Sequence, residues 1–169
     1  GVQRDFVFIE ANPRLQVEHT ITEQVTGVDL VNLQIGVAQG KRLAELGVDP
    51  TNPPGLNGYA IQLRINAEST DATGMARPAY GRLERFEPPA GPEVRVDTHA
   101  YGGYSPAPAF DTLLAKLIVF SASDDFSDVV RRLRRCLAEF RIAGVATNIH
   151  LLQALVARED FLSQRNHTR

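Results

Sequence analysis

Tryptophan is missing from this 169-residue chain, and cysteine and methionine occur once each. The single thiol, Cys136, excludes an intrachain disulfide framework and any cysteine-rich metal site. It favours a reducing compartment, the cytoplasm or, in a eukaryote, the mitochondrial matrix. A dominant sign of charge is also missing. The net charge is −2, so the bulk of the chain offers no attraction to nucleic acid or to an anionic membrane. No apolar run approaches the ~18 residues of a membrane span, and no signal-peptide pattern opens the chain. It begins Gly1-Val2-Gln3-Arg4-Asp5 without an initiator Met, and the expectation is a piece of a longer protein. Neither an internal repeat nor a low-complexity segment is present.

What remains is an ordinary globular composition of one domain, or of one domain and a fragment. A chain of this length can bury roughly 70% of its unfolded surface, enough for a core. Phe6-Val7-Phe8-Ile9 reads as a strand running into an active-site loop. Beyond it the chain alternates. Ile9, Ala11, Pro13, Leu15 and Val17 are apolar, whereas Glu10, Asn12, Arg14, Gln16 and Glu18 are polar. In an extended segment those five polar groups share one face, and Pro13 makes that segment an edge or a loop rather than a central strand. Thr20 with Glu23 forms a capping-box pattern for a helix that Gly27 ends. Asp29 caps a second helix with the stripe Leu30, Leu33, Val37 and a stop at Gly40. The turn-rich run 49–55 follows, and the domain boundary is placed there, between residues 1–50 and 51–169.

The second part reads as α+β, an antiparallel sheet with flanking helices, one sheet face packed and one partly wet. Residues 59–67 and 112–120 are strands, the latter with Lys116 inside an apolar run. Residues 81–86 and 93–98 are expected to pair with each other. Residues 124–140 form the clearest helix, through Phe126, Val129, Val130, Leu133, Leu137 and Phe140. Its four arginines, Arg131, Arg132, Arg134 and Arg135, read as a salt-bridged outer face. Asn148 is expected to cap a last helix that runs to Val156, and the tail from Ser163 to fray.

Glu10 and Asn12, two oxygen donors at i and i+2, suit a hard cation shared with phosphate oxygens, or else they are ordinary polar residues of an exposed edge. Arg14 offers a planar fork to a carboxylate-like anion such as bicarbonate. Gln16 and the Val17 backbone N–H are further donors. A carboxylate beside a bound anion repels it unless it takes a proton from it, so Glu18 is a candidate general base. The plainer alternative is that Arg14 and Glu18 simply pair. His19 can tune the site. His99 and His150 read as structural or exposed, and Cys136 as a small core residue; Tyr101 and Tyr104, in a Gly/Pro loop, are either ordinary loop aromatics or surface anchors for a partner or subunit interface.

The run Glu10-Ala11-Asn12-Pro13-Arg14-Leu15-Gln16-Val17-Glu18-His19 resembles the biotin carboxylases, the ATP-grasp components of biotin-dependent carboxylases. The likeness continues in order through Thr26 to Leu30, Arg64 to Glu68, Arg95, Tyr101 to Tyr104, Asp111 to Leu117 and Gly144 to Asn148. Glu-x-Asn-x-Arg alone is shared with other ATP-grasp ligases, such as carbamoyl phosphate synthetase-like enzymes; Gln-Val-Glu-His and the downstream order are not. The resemblance implies the end of an ATP-grasp domain over 1–50 and the biotin carboxylase C-terminal domain over 51–169. It implies a ligase that forms carboxyphosphate from ATP and bicarbonate and passes the carboxyl group to biotin on a carrier. Glu10 and Asn12 are then contacts to Mg²⁺ (or Mn²⁺). Arg14, Gln16 and Val17 hold bicarbonate, Glu18 removes its proton, and Arg95 stabilises the oxyanion of deprotonated biotin. Partners are the biotin carboxyl carrier domain, the carboxyltransferase component and a second copy in a homodimer. Two departures from the family pattern stand out, a different turn at Met75-Ala76-Arg77-Pro78 and Ala143 where an acidic residue can occur. The Gly-rich phosphate loop, the ATP lysines, the adenine pocket and the Met-Lys-Met biotin attachment motif are not found in these residues. The expectation is therefore no activity, and no tight ATP binding, for the 169 residues alone. A non-catalytic scaffold or interface module is the third reading.

Overall fold

The computed structural model describes residues 7–71 and 73–165. Two short helices come first, α1 (His19–Thr26) and α2 (Leu30–Ala38), followed by a 3-10 turn at Leu43–Leu46. Gly27 ends α1 in the left-handed region (φ 72°), where a side chain is disfavoured. The Asp29 carboxylate accepts the Asn32 N–H at 2.8 Å and caps α2 as its sequence indicates. The expected capping box of α1 is not formed. Thr20 is fully buried and donates its hydroxyl to Gln62 instead, while Glu23 accepts the N–H of Leu30. Tertiary partners took both polar groups away from the helix end.

The central sheet has three antiparallel strands in the order β1 (Tyr59–Asn66), β6 (Leu113–Ser121), β5 (Val94–Thr98). Two small antiparallel pairs flank it: β2 (Glu68–Thr70) with β3 (Ala76–Pro78), and β4 (Arg85–Glu87) with β7 (Arg141–Ala143). The expected pairing of residues 81–86 with 93–98 is therefore wrong. The segment 93–98 pairs with the long β6, and 85–87 pairs with a strand more than fifty positions later. Neighbours in sequence lost to the longer ladder, which offers more hydrogen bonds and a larger apolar face. The segment Val7–Ile9 is not a strand either. Its three side chains are exposed and its backbone is irregular, and Phe6 lies outside the described residues.

Alternation along the three strands divides the sheet into two faces. Ile61, Leu63 and Ile65 of β1, Ala115, Leu117 and Val119 of β6, and Val94 and Val96 of β5 face the main core. The helix α3 (Phe126–Glu139) covers them with Val129, Val130, Leu133 and Leu137, and Cys136 is buried beside these as a small core residue. The Asp125 carboxylate accepts the Ser127 N–H at 2.9 Å and caps α3, which begins at Phe126 rather than at residue 124. Its arginines are engaged: Arg131 with Asp128, Arg135 with Glu139, Arg132 with Glu93, and Arg134 with the Val156 carbonyl. The helices α4 (Ile149–Ala157) and α5 (Glu159–Leu162) close the core through Ile149, Val156 and Phe161.

Asn148 does not cap α4 with its side chain. Its Oδ1 accepts the Asn66 N–H at 2.9 Å and its Nδ2 donates to the Arg64 carbonyl at 3.0 Å. The residue therefore rivets the start of α4 to the end of β1. At the other end of β1, Gly58 has a positive φ of 59° and lies so close to the Ser121 carbonyl that a Cβ would overlap it. Among the described residues no helix is long and apolar enough to cross a membrane.

The core makes a direct prediction. Leu133 is fully buried between α3 and the sheet. Leu133→Ala should destabilise the protein by about 2–5 kcal/mol through lost burial and a residual cavity. A urea melt that moves by less than about 1 kcal/mol would show that α3 does not close the core as described.

Candidate active site

The other face of the sheet carries polar groups, and α1 lies on it. By strand register Arg64, Lys116 and Asp97 form one row across β1, β6 and β5, and Gln62, Ile118 and Arg95 form the next. Ile118 is 1% exposed, so this face is covered as well. Four polar contacts fasten α1 and the turn before it. Thr20 donates to Gln62, the Arg95 guanidinium meets Glu23 at 2.8 Å, Arg64 meets Glu18 at 3.4 Å, and Lys116 donates to the Val17 carbonyl at 3.3 Å.

The turn itself is shaped locally. The Arg14 N–H donates to the Asn12 carbonyl at 2.8 Å across a tight bend around Pro13. Next, the N–H of His19 donates to the Gln16 carbonyl at 3.2 Å, and the His19 ring contacts the same oxygen at 2.8 Å. The chain is therefore not extended from Ile9 to Glu18, and the strict two-face alternation is not kept. Arg14, Leu15, Gln16 and Glu18 all line one cleft of about 640 Å³. Its far wall is the α2 stripe Leu30, Leu33 and Val37, with Leu43 beyond. The apolar stripe of α2 thus faces the cleft.

One side chain of the cleft lining carries an unsatisfied polar atom. The Gln16 Nε2 group is buried and finds no acceptor among the described residues, and such a donor costs roughly 1–3 kcal/mol if nothing takes its hydrogen bond. Arg14 brings a cation and Glu18 a carboxylate to the same cleft. The N–H groups at the start of α1 add the positive end of a helix dipole. Together they can hold a small anion and accept a proton from it.

The other expected site residues sit elsewhere. Glu10 and Asn12 are exposed on the segment before the bend, outside the cleft lining. No group of three His, Cys, Asp or Glu able to hold a metal occurs among the described residues. Arg95 is not part of the cleft lining; it lines a second depression of about 330 Å³ with Glu23 and Asp29. Its guanidinium is committed on two sides, to Asp97 at 2.7 and 3.0 Å and to Glu23 at 2.8 Å. Those bonds, first the one to Asp97, outweigh burial and fix Arg95 in its cationic form. Burial pushes the Asp97 carboxyl up, but hydrogen bonds from Arg95 and Lys116 and their charges pull it down further, so it lies below its ordinary 3.8. The cation that does approach Glu18 is Arg64, whose side chain is 52% exposed.

Arg64, Lys116 and Asp97 were given no site role in the sequence, and Glu23 only that of a helix cap. Their signal was there in the strand alternation, which puts Arg64 and Lys116 opposite the core residues. What the alternation does not contain is that α1 docks on that face.

Comparison with known proteins now bears on the site. A family model described as the biotin carboxylase C-terminal domain matches residues 62–169. One described as the carbamoyl-phosphate synthase L chain, ATP binding domain, matches residues 1–46. The chain is 45% identical over 157 residues to the biotin carboxylase of Nostoc sp., covering 93% of this chain and 33% of that protein. To human mitochondrial pyruvate carboxylase it is 43% identical over 157 residues, covering 92% of this chain and 13% of that one. A structure of a single-chain, multi-domain long-chain acyl-CoA carboxylase superposes with a TM-score of 0.89 at 43% identity, covering 95% of this chain and 18% of that one. The biotin carboxylase domain dimer of Hydrogenobacter thermophilus 2-oxoglutarate carboxylase, in complex with MgADP, ADP and bicarbonate, superposes at 0.84 with 39% identity, covering 94% and 33%. The chain spans about a third of the length of the curated biotin carboxylases it matches.

The charge row predicts a pH dependence. A carboxyl with a lowered folded-state pKa stabilises the fold above its unfolded value and loses that contribution as pH falls through the folded value. The stability gap between the native protein and Asp97→Asn should be constant from pH 7 to about 5 and shrink below Asp97's ordinary 3.8. A gap that stays the same down to pH 2 in paired melts would remove Asp97 from the network.

Proposed function

The chain belongs to the biotin carboxylase C-terminal domain family, and on that premise we propose that it is part of a longer biotin carboxylase that uses ATP and bicarbonate to carboxylate carrier-bound biotin. The observation that carries this is that the turn brings Arg14, Gln16 and Glu18 to one cleft. A planar anion with several acceptor oxygens suits the Arg14 fork. The matches at 1–46 and 62–169 support a division near residue 50, with the end of an ATP-grasp domain before it and the C-terminal domain after it.

In this reading Arg14, Gln16 and the Val17 N–H hold bicarbonate, and Glu18 takes its proton. A bicarbonate oxygen attacks the γ-phosphorus of ATP, the bond from that phosphorus to the ADP oxygen breaks, and carboxyphosphate forms. A carboxylate is a weak base towards bicarbonate, so the proton leaves as the P–O bond forms rather than before it. The carboxyl carbon then bonds to N1′ of biotin as its bond to phosphate oxygen breaks, and the phosphate carries away the N1′ proton. Glu10 and Asn12, exposed oxygen donors, fit Mg²⁺ (or Mn²⁺), which takes one or two protein ligands and leaves the rest of its shell to phosphate and water. When bound, that ion neutralises phosphate charge.

The oxyanion of deprotonated biotin calls for a cation beside Glu18 that is free to turn towards a substrate. The sequence resemblance gave this role to Arg95. The geometry favours Arg64, half exposed and in contact only at 3.4 Å with Glu18, over Arg95, whose guanidinium is held by both Glu23 and Asp97. The partners are a biotin carboxyl carrier domain, a carboxyltransferase component and a second copy of the chain. The lone buried Cys136 fits a cytoplasmic or mitochondrial-matrix setting.

The test uses the full-length carboxylase with free biotin. Its ATP hydrolysis should require bicarbonate and rise with biotin, and Glu18→Gln should cut turnover by about 10²–10⁴-fold without moving the melting temperature. Turnover that survives this change intact refutes the base assignment. Arg64→Ala should cost about 10²-fold or more in biotin carboxylation, whereas Arg95→Ala should act first on stability. The reverse pattern would return the oxyanion role to Arg95.

A further inference from the structure

Lys116 is the one cation inside the apolar run of β6, and it is spent on neither the core nor the solvent. Its side chain is 12% exposed. It stands opposite Arg64 on one neighbouring strand and opposite Asp97 on the other. Its Nζ lies 3.0 Å from Asp97 Oδ2 and 3.3 Å from the Val17 carbonyl oxygen. Glu23, Arg95, Asp97 and Lys116 therefore form a chain of alternating charge that runs from the middle of α1 down to the turn before it. Two carboxylates balance two cations, and one ammonium donor is directed beyond the set, at the backbone of the turn.

That donor has a geometric consequence. The peptide unit between Val17 and Glu18 is planar and trans, so its C=O and N–H point in opposite directions. With the carbonyl tied to Lys116, the Glu18 N–H points away from the sheet. Neither it nor the Val17 N–H donates to an acceptor among the described residues. An ammonium on the carbonyl side also polarises the unit, which strengthens the N–H as a donor. The same anchor fixes the start of α1, where Glu18 stands at the mouth of the cleft beside Arg14 and Gln16.

We infer that Lys116 is a positioning residue for bicarbonate: it holds the Val17–Glu18 peptide so that the turn's donors and the Glu18 carboxylate keep a fixed relation to the anion. The inference rests on the proposed biotin carboxylase reading and assigns within it a residue that touches no substrate. A purely structural lysine would neutralise Asp97 and no more. Asp97 is already met by both arms of Arg95, and the contact to Val17 has no part in that neutralisation.

Steady-state kinetics on the full-length carboxylase separate the two roles. Lys116→Met should raise the KM for bicarbonate by about ten- to a hundredfold, as a misplacement on the order of 1 Å would, while the KM for ATP stays within about twofold. Lys116→Arg, which can still reach both partners, should recover most of the bicarbonate KM. If the melting temperature falls and every kinetic constant worsens together, or if the bicarbonate KM stays put, the positioning role is overturned while the carboxylase reading stands. If the native enzyme shows no bicarbonate- and biotin-dependent ATP hydrolysis, the carboxylase reading falls and takes this role with it. Should Lys116→Met fail to fold, Lys116→Gln, which keeps a donor without the charge, is judged by the same two KM values.

Discussion

A three-stranded sheet has two faces, and in this protein both are covered, by opposite means. One face is apolar and buried under α3. The other carries Gln62, Arg64, Arg95, Asp97 and Lys116, and α1 is seated on it through ion pairs and hydrogen bonds. The contact between Glu23 and Arg95 is the hinge of that arrangement. Glu23 is only 10% exposed, and without its cation it would be a half-desolvated carboxylate, which is costly to keep. Its other oxygen accepts the N–H of Leu30 at 3.1 Å and so ties the start of α2 to the same point. One carboxylate thus sets how α1, α2 and the sheet meet, and the cleft lies between α1, α2 and the turn.

Polar docking of this kind has a use that apolar docking lacks. Hydrogen bonds and ion pairs fix orientation as well as distance, so the turn before α1 inherits a defined position from the strands. A network in which every member is satisfied rigidifies its neighbours, and here Arg95 and Asp97 are each met from two sides. The donor left over, the Gln16 amide, is then conspicuous, because its surroundings are ordered and still give it no acceptor.

Much of this was legible in the residues, for identifiable reasons. The helix α3 and the strands β1 and β6 have long periodic patterns with a single solution, so they fall where the pattern puts them. Asp29 caps α2 because no distant strand claims its carboxylate. The failures share a cause. Thr20, Glu23 and Asn148 each look like local caps, and each is claimed by a distant strand. Short strands such as β4 carry too little pattern to choose a partner, and the long β6 decided the pairing. In the site, Arg14, Gln16 and Glu18 were identified and do share a cleft. Arg64 and Lys116 were passed over because a cation on a strand's polar face reads as solvated until its cover is known. The assignment of Arg95 missed its engagement by two carboxylates, which no spacing rule shows.

The central claim is that the Glu23–Arg95 contact seats α1 on the sheet and thereby builds the cleft. A double-mutant cycle measures it directly, with Glu23→Gln, Arg95→Met and the pair compared by denaturant melting. The account predicts a favourable coupling of about 0.5–3 kcal/mol between the two positions. Additive effects within about 0.3 kcal/mol would contradict it, since two residues that join α1 to β5 cannot act independently.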